Sequence, residues 1–269
     1  MVRNRYKMAM IGAGTVRVNY HAHTWRCGHA SGTEREFIEE AILGGIKYLG
    51  FSDHSPMPFP ENYISGFRMR MDQLEDYCDT LLALKKEYEK DIEIHIGLEA
   101  EYYPLYFDKL LDFLKDYPVE YLLQGQHCLN NEYDGSSSGA PTEEPEILKQ
   151  YVEQTCEGMK TGHFLYLAHP DLINFTGEKE LFQKEMRKIC LVAKETGMPL
   201  EINFLGLAEG RHYPNPAFWE VVSEVGNDVI WGIDCHHRNM VNMPEVEQAA
   251  YAFGERYGLK IIDHIPLHM

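Results

Sequence analysis

Seven short apolar runs alternate along this chain with stretches of helical period, and every run closes on polar residues, most of them of metal-ligand type. The runs end at Tyr20-His21-Ala22-His23, Ser52-Asp53-His54, Gly97-Leu98-Glu99, Gly125-Gln126-His127, Ala168-His169-Pro170, Glu201-Ile202-Asn203 and Asp234-Cys235-His236. Strict alternation of strand and helix implies a parallel sheet covered by helices. In a closed β/α barrel the C-terminal strand ends converge on one rim, where chemistry is done. An open doubly wound sheet would leave some of these strand ends far from any one site. Polar tips on all seven strands therefore favour an α/β fold of the closed or distorted barrel type.

The length of 269 residues suits a single β/α barrel, and 44% hydrophobic residues suffice for its core. Strands are expected at about 17–21, 46–51, 92–98, 120–126, 164–168, 199–202 and 229–233. A helix should start after Thr33, with Glu36 completing a capping box, and end at Gly44-Gly45. A second should be capped by Asp72 and run to about Glu89, with others near 104–115, 145–160, 178–196, 215–225 and 244–257. The stretches 55–70 and 129–144 read as loops, and the tail from Leu259 finds no place in the alternation. Residues 1–16 are read as a leader or extension and 17–269 as one domain. Gly12-Ala13-Gly14 lacks the third glycine of a dinucleotide loop, since Arg17 stands there.

A net charge of −17 argues against a nucleic-acid partner. It leaves room for a phosphorylated small molecule, because bound ions dominate the local field. No apolar run reaches membrane-spanning length, so no membrane partner is expected. Six cysteines without a C-x-x-C pair read as reduced thiols in a cytoplasmic protein. Cys128 and Cys235, beside ligand candidates, are expected to face away and pack.

His21 and His23 lie two apart on one strand and face the same side, and Asp234 with His236 repeats the arrangement. Imidazole and carboxylate without thiolate clusters suit Zn, Mn or Fe in a catalytic role. Such ions activate water and clamp phosphoryl oxygens, so hydrolysis of a phosphate ester is the natural reaction class.

The runs His21-Ala22-His23-Thr24, Gly50-Phe51-Ser52-Asp53-His54 and Asp234-Cys235-His236 resemble the ordered motifs of the PHP (polymerase and histidinol phosphatase) superfamily. Arg26-Cys27-Gly28-His29-Ala30-Ser31-Gly32, Glu201-Ile202-Asn203 and Arg211-His212-Tyr213-Pro214 are similar to its histidinol-phosphate phosphatases. The resemblance spans about Tyr20 to His236. It implies a distorted (β/α)7 TIM-like barrel holding three divalent metal ions, and hydrolysis of L-histidinol phosphate by a metal-bridging hydroxide.

Carried over by position, it implies one ion on His21, His23, Glu99 and Asp234, and a second on Glu99, His127 and His169. The third would sit on His29, His54 and His236. Glu101 competes with Glu99, which is preferred because it directly follows Gly97-Leu98. Glu99, Asp234 and Arg211 are the expected catalytic residues, with Arg211 binding phosphate and Arg68 or Arg70 as alternatives. The ammonium and imidazole of the substrate call for an acid or polar partner, for which Glu201, Asn203 and His237 are candidates. Asp53, His237 or a metal-bound water would protonate the leaving group. The loop 55–70 is a candidate lid. Rival readings are a PHP phosphoesterase for another small ester such as a nucleotide, a 3′–5′ exonuclease, a metal-dependent amidohydrolase, or a non-catalytic PHP module. The oligomeric state stays open.

Overall fold

The computed structural model describes residues 16–60 and 63–267. The expected leader, residues 1–16, lies outside the described residues except for Val16. Four parallel strands pair in chain order: β1 (Val18–Asn19), β2 (Tyr48–His54), β3 (Glu93–Ala100) and β4 (Tyr121–Gln124). Nearly every residue of β2 and β3 is buried, the pattern of staves covered on both faces. A short antiparallel pair, β5 (Cys128–Leu129) with β6 (Ser136–Ser137), interrupts the loop 129–144. β7 (Leu200–Asn203) and β8 (Asp228–Gly232) resume the parallel order.

The stretch 164–168 forms no ladder. Leu167 instead makes single bridges to Gln124 on one side and Leu200 on the other, stitching the two sheets together. Ala22 bridges Cys235 and brings the last stave back against the first. Seven staves thus curl into a distorted α/β barrel whose C-terminal ends share one rim.

The helices follow from apolar periodicity and their caps. α1 (Glu34–Gly44) opens with the capping box at Thr33 and Glu36, and ends at Gly45, whose φ of 85° is left-handed. α2 (Leu74–Glu87) departs from expectation at its start: Asp72 sits inside a preceding 3-10 turn and takes an N–H from Arg70 Nε at 2.9 Å rather than capping the helix. α3 (Phe107–Leu114), α4 (Pro145–Lys160) and α5 (Lys179–Thr196) lie close to their expected places. α6 (Phe204–Glu209) is a short helix that periodicity did not reveal. α7 (Pro216–Val225) and α8 (Pro244–Tyr257) complete the outer layer. α5 shows the logic of that layer, burying Phe182, Met186, Ile189, Cys190 and Ala193 on one face.

Inside the barrel, Val18, Tyr20, Tyr121, Leu123, Tyr166, Ala168 and Ile230 form a second core. Tyr121 crosses it and donates to the Tyr20 carbonyl at 2.7 Å. Glycines on the neighbouring strands make room: a Cβ on Gly97 would stand 2.2 Å from the Tyr121 ring, and one on Gly50 would stand 2.1 Å from its hydroxyl. The tail closes this end. β9 (Lys260–Ile261) pairs with the start of β8, and Ile262, Ile265 and Leu267 pack on the second core. Tyr20 Oη donates to the Ile265 carbonyl at 2.9 Å. The tail thus packs against the rim opposite the polar strand tips. All six cysteines are free, and Cys235 is fully buried while Cys128 packs against the main core. Among the described residues no helix is long and apolar enough to cross a membrane.

Candidate metal centre and its cleft

Each stave delivers its tip to the open rim. His21 and His23 follow β1, His54 ends β2, Glu99 lies near the end of β3, and His127 follows β4. His169 follows the Leu167 bridge, and Asp234 and His236 follow β8. His169 and Asp234 adopt left-handed φ values of 29° and 54°, which non-glycine residues rarely do. Such strain is tolerated where surrounding contacts hold a functional geometry.

The tips converge tightly. Nε2 of His21 lies 3.4 Å from Glu99 Oε2 and 3.5 Å from Asp234 Oδ1. Nε2 of His23 lies 3.5 Å and 3.0 Å from the same two oxygens. A tetrahedral ion with bonds of 2.0–2.1 Å separates its ligand atoms by about 3.3–3.4 Å, so these four atoms are spaced as an ion requires. His21 Nε2, His23 Nε2 and Glu99 Oε2 are buried without hydrogen-bond partners, and buried polar atoms are rarely left so. Glu99 faces two groups at once. Its Oε2 is 3.1 Å from His54 Nδ1, while Oε1 is 2.8 Å from His169 Nε2 and 3.4 Å from His127 Nε2. A third group is formed by His29, His54 and His236, with ring centres 4.7 Å apart for His29 and His236 and 5.3 Å for His29 and His54. All nine expected ligand residues are thus brought to one place, and the donor set fits divalent ions.

The charges balance within this cluster. Burial opposes protonation of His21, but Glu201, Asp234 and Glu99 outweigh it and hold its pKa well above the usual value. Burial likewise opposes protonation of His23, but Asp234 and Asp53 lift its pKa to about 9. Burial also pushes the Glu99 carboxyl up, yet His127, His21 and His54 hold it well below the usual range. The third group differs. Burial and the neighbouring His23 hold His54 well below the usual imidazole value and push His236 down to about 3. Burial lowers His29 too. These three rings favour the neutral form that ligates metals.

A layer of carboxylates and carbonyls fixes which ring nitrogen faces inward. Glu201 accepts from His21 Nδ1 at 2.7 Å, Glu101 accepts from His127 Nδ1 at 2.8 Å, and Asp53 lies 3.4 Å from His23 Nδ1. The carbonyls of Cys27 and Asp234 take His29 Nδ1 and His236 Nδ1, both at 3.1 Å. Nε2 of each ring is thereby left free to ligate.

This layer reassigns several expected residues. Glu201 is fully buried and absent from the cleft wall; it accepts from His21, from the His169 backbone N–H at 2.9 Å and from Asn203 Nδ2 at 3.1 Å. Asn203 caps α6 through Gly206 N–H at 2.9 Å and donates to Asp234 Oδ2 at 3.0 Å. Neither is placed to touch a substrate. Arg68 is also buried. Its guanidinium donates to Glu101 at 3.0 Å, Glu132 at 2.6 Å and the Ser55 carbonyl at 2.8 Å, which staples the loop 55–70 to the β5–β6 loop. Arg70 is exposed and paired with Asp72. Asp53, fully buried against Thr24 and the His54 N–H, is no candidate acid for the leaving group.

The loop 55–70 is mostly packed down. Met57 and Met69 belong to the main core, and Phe59 packs on Tyr103 and Tyr106. Phe67 is its contribution to the site, with its ring 5.3 Å from His54.

The cleft above the cluster holds about 300 Å³. Phe67, Leu172, Leu205 and Met240 make its apolar wall, and Arg211, Tyr213 and His237 its polar one. Arg211 donates to Glu209 at 2.8 Å and to Tyr213 Oη at 2.7 Å. His237 Nδ1 is 2.7 Å from Ser31 Oγ. Sequence reasoning passed over Glu209 and gave Tyr213 no role. The signal lay in the Asn203 cap and the Gly210 stop, which bound a helix of one and a half turns.

The PHP domain family profile matches residues 19–204. A Bacillus subtilis (strain 168) protein described as "Histidinol-phosphatase" is 35% identical over 267 residues, covering 88% of this chain and 97% of that one. A Deinococcus radiodurans protein described as "Probable histidinol-phosphatase" is 28% identical over 225 residues, covering 80% and 85% of the two chains. Among solved structures, a histidinol phosphate phosphatase from Lactococcus lactis, complexed with zinc, L-histidinol and phosphate, matches with a TM-score of 0.70 and 18% identity, over 92% of this chain and 95% of that one. At that identity the likeness speaks to the fold.

Proposed function

The chain belongs to the PHP domain family, and from that premise we propose that it hydrolyses L-histidinol phosphate to L-histidinol and phosphate with divalent metal ions. The observation that carries the reading is the pairing of a nine-residue donor cluster with one arginine on the same cleft wall. The full-length similarity to a histidinol-phosphatase supports the choice of substrate.

In this reading His21, His23, Glu99 and Asp234 would hold one ion, and Glu99, His127 and His169 would hold a second. His29, His54 and His236 would hold a third. The donors suit zinc, manganese or iron. Bound ions would supply a nucleophile at neutral pH and neutralise the phosphoryl oxygens.

The protein's own groups do the rest. Glu201, Asp53 and Glu101 keep the imidazoles in the ligating tautomer. Arg211 presents a planar fork that matches two phosphate oxygens and aligns the ester over the cluster. Of the two side chains considered for protonating the departing alkoxide, His237 is the one on the cleft wall, and Ser31 orients it. The apolar wall of Phe67, Leu172, Leu205 and Met240 excludes water around the leaving group. The free thiols are what a reducing cytoplasm maintains, and we place the protein there.

The test is steady-state turnover on L-histidinol phosphate with and without added metal. Metal-dependent release of phosphate supports the reading; its absence under all metals contradicts it.

A further inference from the structure

Outside the donor cluster, two charged side chains line the cleft: Arg211 and Glu209. Their placement comes from α6. Asn203 anchors the start of that helix to Asp234 and caps it through Gly206 N–H. Leu205 and Glu209, four residues apart, lie on one helical face and both line the cleft. Gly210 ends the helix at φ 61°, and the chain turns so that Arg211 N–H bonds the Gly206 carbonyl at 2.9 Å. A Cβ on Gly206 would stand 2.4 Å from the Tyr213 carbonyl oxygen, so that glycine lets the Arg211–Tyr213 segment lie against α6. One short helix therefore carries an acid and a base to the same wall.

In this structure the two satisfy each other: Glu209 Oε2 is 2.8 Å from Arg211 Nε and 2.7 Å from Nη2. Both side chains are substantially exposed, so the pair is weak and easily exchanged. A substrate with a phosphate at one end and a cation at the other can take both partners. Its phosphate replaces Glu209 on Arg211, and its cation replaces Arg211 on Glu209. Each of the two charged side chains keeps a partner of opposite sign.

A phosphate ester without a cation behaves differently. It takes Arg211 and leaves Glu209 unpaired beside a phosphate dianion. Discrimination then comes from repulsion as well as attraction.

We propose that Glu209 is the specificity-determining residue of this cleft, and that it recognises the ammonium or imidazolium end of a cationic phosphate monoester. The assignment rests on the substrate reading above. It also replaces Glu201, the acid that sequence position suggested, which is sealed behind His21.

The experiment is Glu209→Gln, assayed on three esters: L-histidinol phosphate, O-phosphoethanolamine and p-nitrophenyl phosphate. The ratio of kcat/KM for L-histidinol phosphate over p-nitrophenyl phosphate should fall about ten- to a hundredfold, the size of a hydrogen bond to a charged group. KM should carry the change for the cationic ester, and kcat/KM for p-nitrophenyl phosphate should rise. An equal fall on both esters would overturn the proposal and leave Glu209 as a mere holder of Arg211. Wild-type kcat/KM on both esters would make it a surface pair and overturn the proposal as well. If the wild type ignores L-histidinol phosphate yet favours O-phosphoethanolamine in a Glu209-dependent way, the substrate reading fails while the role of Glu209 stands.

Discussion

Replacing Glu201 by Gln exchanges one oxygen for an amide nitrogen, and the surroundings do not tolerate it. Four donors meet this carboxylate. His21 Nδ1 at 2.7 Å and Tyr166 Oη at 3.2 Å approach Oε1. The His169 backbone N–H at 2.9 Å and Asn203 Nδ2 at 3.1 Å approach Oε2. An amide can accept on one side alone. If its NH2 faces His169 and Asn203, two donors are orphaned where no water reaches, at about 1–3 kcal/mol each. If it faces His21, that ring must accept at Nδ1 and carry its proton on Nε2, which removes it as a ligand. The first outcome costs roughly 2–6 kcal/mol of stability. The second costs about 10–100-fold in metal affinity. Gly232 is what leaves room for this group, because a Cβ there would stand 1.6 Å from Glu201 Oε1. Metal titration of the chelator-stripped variant, with thermal melts before and after loading, separates the two. A Glu201→Gln protein that melts and loads like the wild type would refute the reasoning.

Glu99→Gln should abolish turnover and reduce bound metal, measured by elemental analysis, since both oxygens of Glu99 face ligand groups. Arg211→Ala should raise KM for the phosphate ester by about ten- to a hundredfold; an unchanged kcat/KM would remove Arg211 from phosphate binding, and the buried pairing of Arg68 leaves no ready substitute. Gly97→Ala should lower stability by about 1–3 kcal/mol by overpacking against Tyr121, and a second change, Tyr121→Leu, should restore part of the loss in a thermal melt. Truncation after Ile262 strips Ile265 and Leu267 from the barrel floor and deprives Tyr20 Oη of its acceptor; about 2–4 kcal/mol should be lost, read by urea denaturation.

What the sequence made legible was what depends on local pattern. Seven polar strand tips placed the site on one rim, because alternation of strand and helix leaves a barrel few other arrangements. The two-residue spacing of His21 and His23 put both rings on one side, as a strand must. The box at Thr33 and Glu36 marked α1 to the residue. Less legible was what depends on distant partners. The stave at 164–168 is apolar enough for a strand, and backbone hydrogen bonds tie it to the neighbours on both sides, yet its residue pairing with them runs through Leu167. Asp72 had the chemistry of a cap but found Arg70 nearer. Glu201 and Arg68 sit where a substrate contact was expected, but each is claimed by buried partners from three or more segments. The tail from Leu259 looked unplaced because its partners, Tyr20 and Ile230, lie far away in sequence and pack with it only once the barrel has closed.

The central claim is tested most directly by kcat/KM of the zinc- or manganese-loaded protein on L-histidinol phosphate, set beside a panel of nucleotides and sugar phosphates. The account predicts a preference of several orders of magnitude for L-histidinol phosphate, lost when metal is stripped and regained on its return. Weak and even activity across the panel would contradict it.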